Sequence, residues 1–301
     1  MDEIEQRIDA ATEVRDGLPR VDWNAIVDAV GDDPSVDWDA YTRVWLTRLG
    51  NALSTDARLH ETEWFMVLEA PSGGSSEKVV RFAEFARAQI LRRIPGIASS
   101  EQRLVLVLLA NRSDYFSYVA DFYPEGGEYG LSAGMFISSG MFHIVLPGRS
   151  RLAQDKTLAH ELAHALVSHL DLPLWLDEGI AVTITRDLFG PPLSIKRQEV
   201  DAHRAFWDAS TIQEFWSGRA FSRPDDGQRF SYRMAEIFVG TLSSDYEAFA
   251  EFCNSASYAD GGEGAALEVY GRSLTELAAS FLGVGPWTPD PATWPEFGDE
   301  D

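Results

Sequence analysis

The sequence predicts an α+β fold, with a small sheet-containing half, a helical C-terminal half, a cleft between the two and a helical N-terminal extension. Three observations carry this. Short apolar runs of strand length alternate with helical periodicity between about residues 63 and 146. From residue 151 into the 280s only helical periodicity continues, and strands followed by helices is the order of an α+β chain. The first sixty residues space their apolar side chains for short helices.

In residues 1–60, Ile4, Ile8 and Val14 mark one apolar face, then Trp23, Ile26, Val27 and Val30, then Trp38, Tyr41, Val44, Trp45 and Leu49. Gly31, Pro34 and Gly50 punctuate them. Residues 61–285 are expected to form one domain. Within it, 63–70 reads as a strand, 77–93 as a helix stopped by Pro95 and Gly96, 104–110 as a strand and 114–122 as a short helix. Residues 129–137 and 141–146 flank Ser138, Ser139 and Gly140 as a hairpin. Helices are then expected over 151–170, 174–188, 195–208, 211–216, 228–242, 246–255, 264–270 and 274–282. Residues 286–301, proline-rich and ending Asp299-Glu300-Asp301, are expected to be a loose acidic tail.

Composition narrows the function. At 301 residues with 45% hydrophobic content and nine Trp, the chain has the material for a sizeable core. A net charge of −23 argues against nucleic acid or an anionic membrane as partner, because both require lysine and arginine to neutralise phosphates. No apolar run reaches the length of a membrane span. The acidic opening Met1-Asp2-Glu3 lacks the basic and apolar regions of a secretory signal, so a cytoplasmic location is expected. The single cysteine, Cys253, excludes a thiolate cluster, leaving histidines and carboxylates as metal ligands.

Such ligands are present. His160-Glu161-Leu162-Ala163-His164 matches H-E-x-x-H, whose histidines at i and i+4 project from one helical face towards a single ion. A catalytic zinc takes three protein ligands and leaves a fourth position for water, so a third must lie elsewhere. The metzincin spacing is excluded, since its glycine and third histidine would fall at Val167 and Leu170. Glu178 lies in Leu174-Trp175-Leu176-Asp177-Glu178-Gly179-Ile180-Ala181, after the break at Pro173, where a second helix can fold back on the first.

These paired motifs resemble the peptidase MA-like gluzincins, relatives of thermolysin and of the zinc aminopeptidases. The likeness extends more weakly over about residues 63–282 and leaves 1–60 outside. The resemblance implies a thermolysin-like catalytic domain with an edge strand over the cleft and one Zn²⁺ held by His160, His164 and Glu178. Glu161 would act as general base on a zinc-bound water attacking a peptide or protein substrate, and Tyr232 would stabilise the oxyanion, with Arg233 as the fallback. Where the aminopeptidases carry a glutamate-containing strand, this chain has Ala133-Gly134-Met135-Phe136-Ile137, which points away from aminopeptidase activity and towards an endopeptidase or oligopeptidase. Val182 replaces the aspartate that follows the glutamate ligand in thermolysin, leaving Asp177 and Asp187 as candidates to orient the ligands. Two other readings stand beside this one, a non-catalytic binding or assembly module on the same scaffold and a zinc hydrolase of a non-peptide amide.

Overall fold

The computed structural model describes residues 3–31, 33–71, 76–97, 103–123, 132–148 and 151–294. The fold is mixed α and β, and the chain divides into two compact units, residues 1–86 with 98–165, and residues 87–97 with 166–301.

The first unit is built on a five-stranded sheet. Its strands are β3 (Arg58–Glu61), β4 (Phe65–Glu69), β5 (Leu104–Leu109), β6 (Met135–Ile137) and β7 (His143–Pro147), in the order β3-β4-β5-β7-β6. The central three run parallel and both edge strands antiparallel. Being covered on both faces, the central strands read as unbroken apolar runs, Leu104-Val105-Leu106-Val107-Leu108-Leu109 among them. Helix α4 (Ser76–Arg93) follows β4 and α5 (Arg112–Ala120) follows β5, the latter capped by Asn111, whose side chain accepts from the Ser113 and Asp114 N–H groups. Helix α3 (Trp38–Leu53) sets Trp45, Leu46 and Leu49 against Met66, Leu68, Val105, Val107 and Val145 in one core.

The N-terminal segment departs from the all-helical expectation. Helices α1 (Glu3–Ala10), α2 (Trp23–Val30) and α3 form, but β1 (Thr12–Arg15) and β2 (Leu18–Val21) make a two-stranded hairpin, placing Val14 at 72% exposure instead of on a helical face with Ile8. The physical reason is Asp16-Gly17. Both residues take positive φ, 47° and 82°, the two-residue turn geometry that matches strand twist. Residues 58–61, unassigned by periodicity, become an edge strand by pairing with β4. The expected hairpin is realised as β6 against β7, with Phe136 opposite Ile144, while 129–131 fall outside the described residues.

His143 sits inside this core. Its Nδ1–H donates to the Met141 carbonyl at 2.7 Å, its Nε2 lies 2.9 Å from the Tyr118 hydroxyl, and Trp45 meets it edge-on. Burial pushes its pKa down to about 4, against about 6.5 for an exposed ring. Between those two values the unfolded chain binds a proton that the folded chain refuses, so stability falls as pH drops from about 6.5 towards 4. For this residue the loss is on the order of 3 kcal/mol. NMR titration of the His143 ring checks this, and titration near pH 6.5 in the folded protein would overturn it.

The second unit is helical. It contains the end of α4, then α7 (Leu174–Phe189), α8 (Arg197–Phe206), α9 (Thr211–Trp216), α10 (Asp226–Leu242), α11 (Tyr246–Ser255), α12 (Glu263–Tyr270) and α13 (Leu274–Leu282). Trp175, fully buried, meets the rings of Phe215, Trp216, Phe238 and Phe252, and its indole N–H donates to the Gly261 carbonyl at 2.9 Å. The stretch after Gly283, expected to be loose, is instead packed as far as residue 294. Trp287 is buried and its carbonyl accepts from the Trp216 indole, while Gln213 bonds both Thr288 and Asp290. Aromatic burial outweighs the flexibility that the prolines imply; residues 295–301 are outside the described set. Among the described residues no helix is long and apolar enough to cross a membrane.

Candidate metal centre

Helix α6 (Arg151–Val167) carries the H-E-x-x-H motif. Leu158, Ala159, Leu162, Ala163 and Leu166 bury one face of it, which leaves His160, Glu161 and His164 half-buried on the other. One turn apart, the two imidazoles meet edge to face with centroids 4.8 Å apart and Nε2 atoms 3.2 Å apart. Two nitrogens each 2.0–2.1 Å from a tetrahedral zinc stand about 3.3 Å apart, so the pair has the bite a metal requires.

Glu161 is positioned by the sheet edge. The Phe136 N–H of β6 donates to its Oε2 at 2.8 Å, and its other oxygen makes no hydrogen bond to a described residue. Gly134 permits this close approach. A Cβ there would stand 2.4 Å from Leu146 Cδ2 and 2.6 Å from Thr157 Cγ2, one helical turn before Glu161. Tyr123 also belongs to this neighbourhood, because burial raises its pKa and the charge of Glu161 raises it further. No motif in the sequence marks the Phe136 N–H or Tyr123 as part of this neighbourhood. The small pair Ala133-Gly134 was the only local sign of a strand lying tight on a helix.

Glu178 stands on the first turns of α7, which begins straight after Pro173. Gly179 beside it allows α10 to approach. A Cβ there would lie 2.6 Å from Val239 and 2.9 Å from the Ala235 carbonyl. The same proximity brings the Tyr232 hydroxyl, on α10, to 3.3 Å from Glu178 Oε1. Tyr232 therefore reaches the expected carboxylate. Arg233 does not serve as its substitute, since its guanidinium is engaged by Glu199, Glu236 and the Ser194 carbonyl. Asp187 pairs with Arg93 at 3.0 Å and with Arg186 at 2.7 Å, which employs it in an arginine cluster.

His160, His164 and Glu178 each offer one ligand atom, and these atoms lie within 4.8 Å of one another. Two imidazoles and a carboxylate are the donor set of a hydrolytic zinc site, so the residues fit the ion. No protein-family model matches the chain, and no curated protein matches it. The remaining histidines play other parts. His60 lies 3.4 Å from Glu69 on the neighbouring strand, His169 is exposed, and His143 and His203 are buried.

Proposed function

We propose that this chain is a zinc-dependent metallopeptidase of gluzincin type with a thermolysin-like catalytic domain, acting on peptides or proteins. The observation that carries the reading is the convergence of His160, His164 and Glu178, with the Glu161 carboxylate on the same helical face. Zinc held by His160, His164 and Glu178 would supply a Lewis acid that polarises a carbonyl and lowers the pKa of water to about 7.

The chain's own residues do the rest. Glu161 takes the proton of the attacking water on a carboxylate oxygen as the new C–O bond forms, and then passes it to the amine nitrogen, whose departure breaks the peptide C–N bond. The Phe136 N–H keeps that carboxylate facing the reaction without neutralising it. β6 ends the sheet, and an extended substrate adds there through backbone hydrogen bonds. Tyr232 orients Glu178 through its hydroxyl. Donation to an oxyanion would require that bond to be given up.

The test is metal content by elemental analysis of chelator-free protein, native against Glu178→Ala. About one zinc per chain is expected, with affinity at least about tenfold weaker in the variant. A native chain that neither carries zinc nor takes it up when supplied would remove the proposal and leave the binding-module reading.

A further inference from the structure

The second unit contains a cavity of about 540 Å³, within the size range of small-molecule sites, formed by α7, α8, α10 and the connection between α7 and α8. Its lining is out of keeping with the chain. Arg186, Lys196, Arg229 and Arg233 face only Glu199 and Glu236, a net of +2 in a protein of net charge −23. Asp187 and Asp226, outside the lining, pair with Arg186 and Arg229.

Those cations divide into two groups. Arg233 is committed to the scaffold, held by Glu199, Glu236 and the Ser194 carbonyl, and Arg186 is paired with Asp187 and Glu236. The two carboxylates of the lining are thereby neutralised. Lys196, in contrast, makes no ion pair with any described residue. Arg229 makes only an exposed pair with Asp226 at 3.3 Å, the sort that contributes little, and its guanidinium lies 4.7 Å over the Phe230 ring.

A buried donor completes the set. His203 is 1% exposed, and its Nδ1 accepts the Trp207 indole N–H at 3.2 Å. Burial holds this ring neutral, with its pKa lowered to about 4, so the proton resides on Nε2, which makes no hydrogen bond to a described residue. His203 lines the cavity, and a ligand oxygen there can accept from this N–H. The remaining wall is apolar, formed by Phe230, Pro192 and Leu193.

We propose that this cavity binds a small carboxylate with an apolar body, the carboxylate taken by Lys196, Arg229 and the Nε2–H of His203, the body lying against Phe230, Pro192 and Leu193. The site uses residues of the second unit alone and stands whether or not the chain binds zinc. A free organic acid and the C-terminus of a peptide offer the same chemistry.

The experiment is calorimetric titration of the full chain with N-acetyl-phenylalanine, its amide, a tripeptide ending in phenylalanine, and inorganic phosphate. The variants are Lys196→Glu and Arg229→Glu, both at exposed positions. Saturable one-to-one binding of the acid is expected, at least tenfold tighter than the amide and at least tenfold weaker in either variant. Tighter binding of the tripeptide than of the acid would assign the site to peptide ends, and the reverse to free acids. No saturable binding, an amide as tight as the acid, variants that bind unchanged, or phosphate binding tighter than the acid would each overturn the proposal.

Discussion

Exchange of Glu161 for Gln is expected to lower peptide hydrolysis by about 10²–10⁴-fold while leaving zinc content unchanged. Glutamine has nearly the same shape and keeps a carbonyl oxygen for the Phe136 N–H, so the 2.8 Å contact to β6 survives. What it loses is the capacity to take a proton at neutral pH. The side chain is not among the three proposed ligands, so the metal affinity has no reason to change. Initial rates on a mixed peptide library, with zinc measured on the same samples, decide the matter. An undiminished rate would remove Glu161 from the role of base. A rate loss accompanied by zinc loss would show that the residue supports the metal instead of the chemistry.

Replacement of Trp175 by Ala is expected to cost about 3–5 kcal/mol of stability, at the upper end for single core truncations. The ring is fully buried among four aromatic neighbours, and its removal leaves a void where Phe215, Trp216, Phe238 and Phe252 now meet it. The Gly261 carbonyl also loses its donor. Trp175 and Glu178 are three residues apart on α7, so a helix loosened at Trp175 carries the carboxylate with it. Urea unfolding followed by circular dichroism reads the change in midpoint at constant slope. A loss below about 1 kcal/mol would mean that this aromatic cluster is not the core of its unit.

How much was legible from the residues varies with the range of the interaction. The helices of the C-terminal half were readable to within a few residues because most are long enough for two or more repeats of the 3.6-residue period; 246–255 and 274–282 match α11 and α13 as expected. Strand β5 was equally plain, six residues of the apolar run that lies between Arg103 and Asn111. The four-residue strands β1, β2 and β3 were not, because so short an element shows neither a period nor an apolar face. Asp16-Gly17 was the one local sign of the hairpin, and the spacing of Ile4, Ile8 and Val14 masked it. The packing of 283–294 was hidden for a related reason, since Trp287 has nothing to pack on until α9 is placed.

At the candidate centre the same division holds. That His160, Glu161 and His164 share a helical face follows from local rules alone, because i and i+4 coincide on any α-helix and the apolar residues between them dictate which face turns inward. The placing of Glu178 early in a second helix is local too, because Pro173 cannot continue the preceding helix and α7 begins directly after it. Tertiary packing alone sets the Phe136 N–H, 25 residues before Glu161, on that carboxylate, and the Tyr232 hydroxyl, 54 residues after Glu178, on that one, while its neighbour Arg233 is drawn into a cavity of its own. Helical periodicity is written within a few residues of chain. A hydrogen bond across tens of residues depends on how strands and helices come to lie on one another, which here turns on the absence of a Cβ at Gly134 and Gly179.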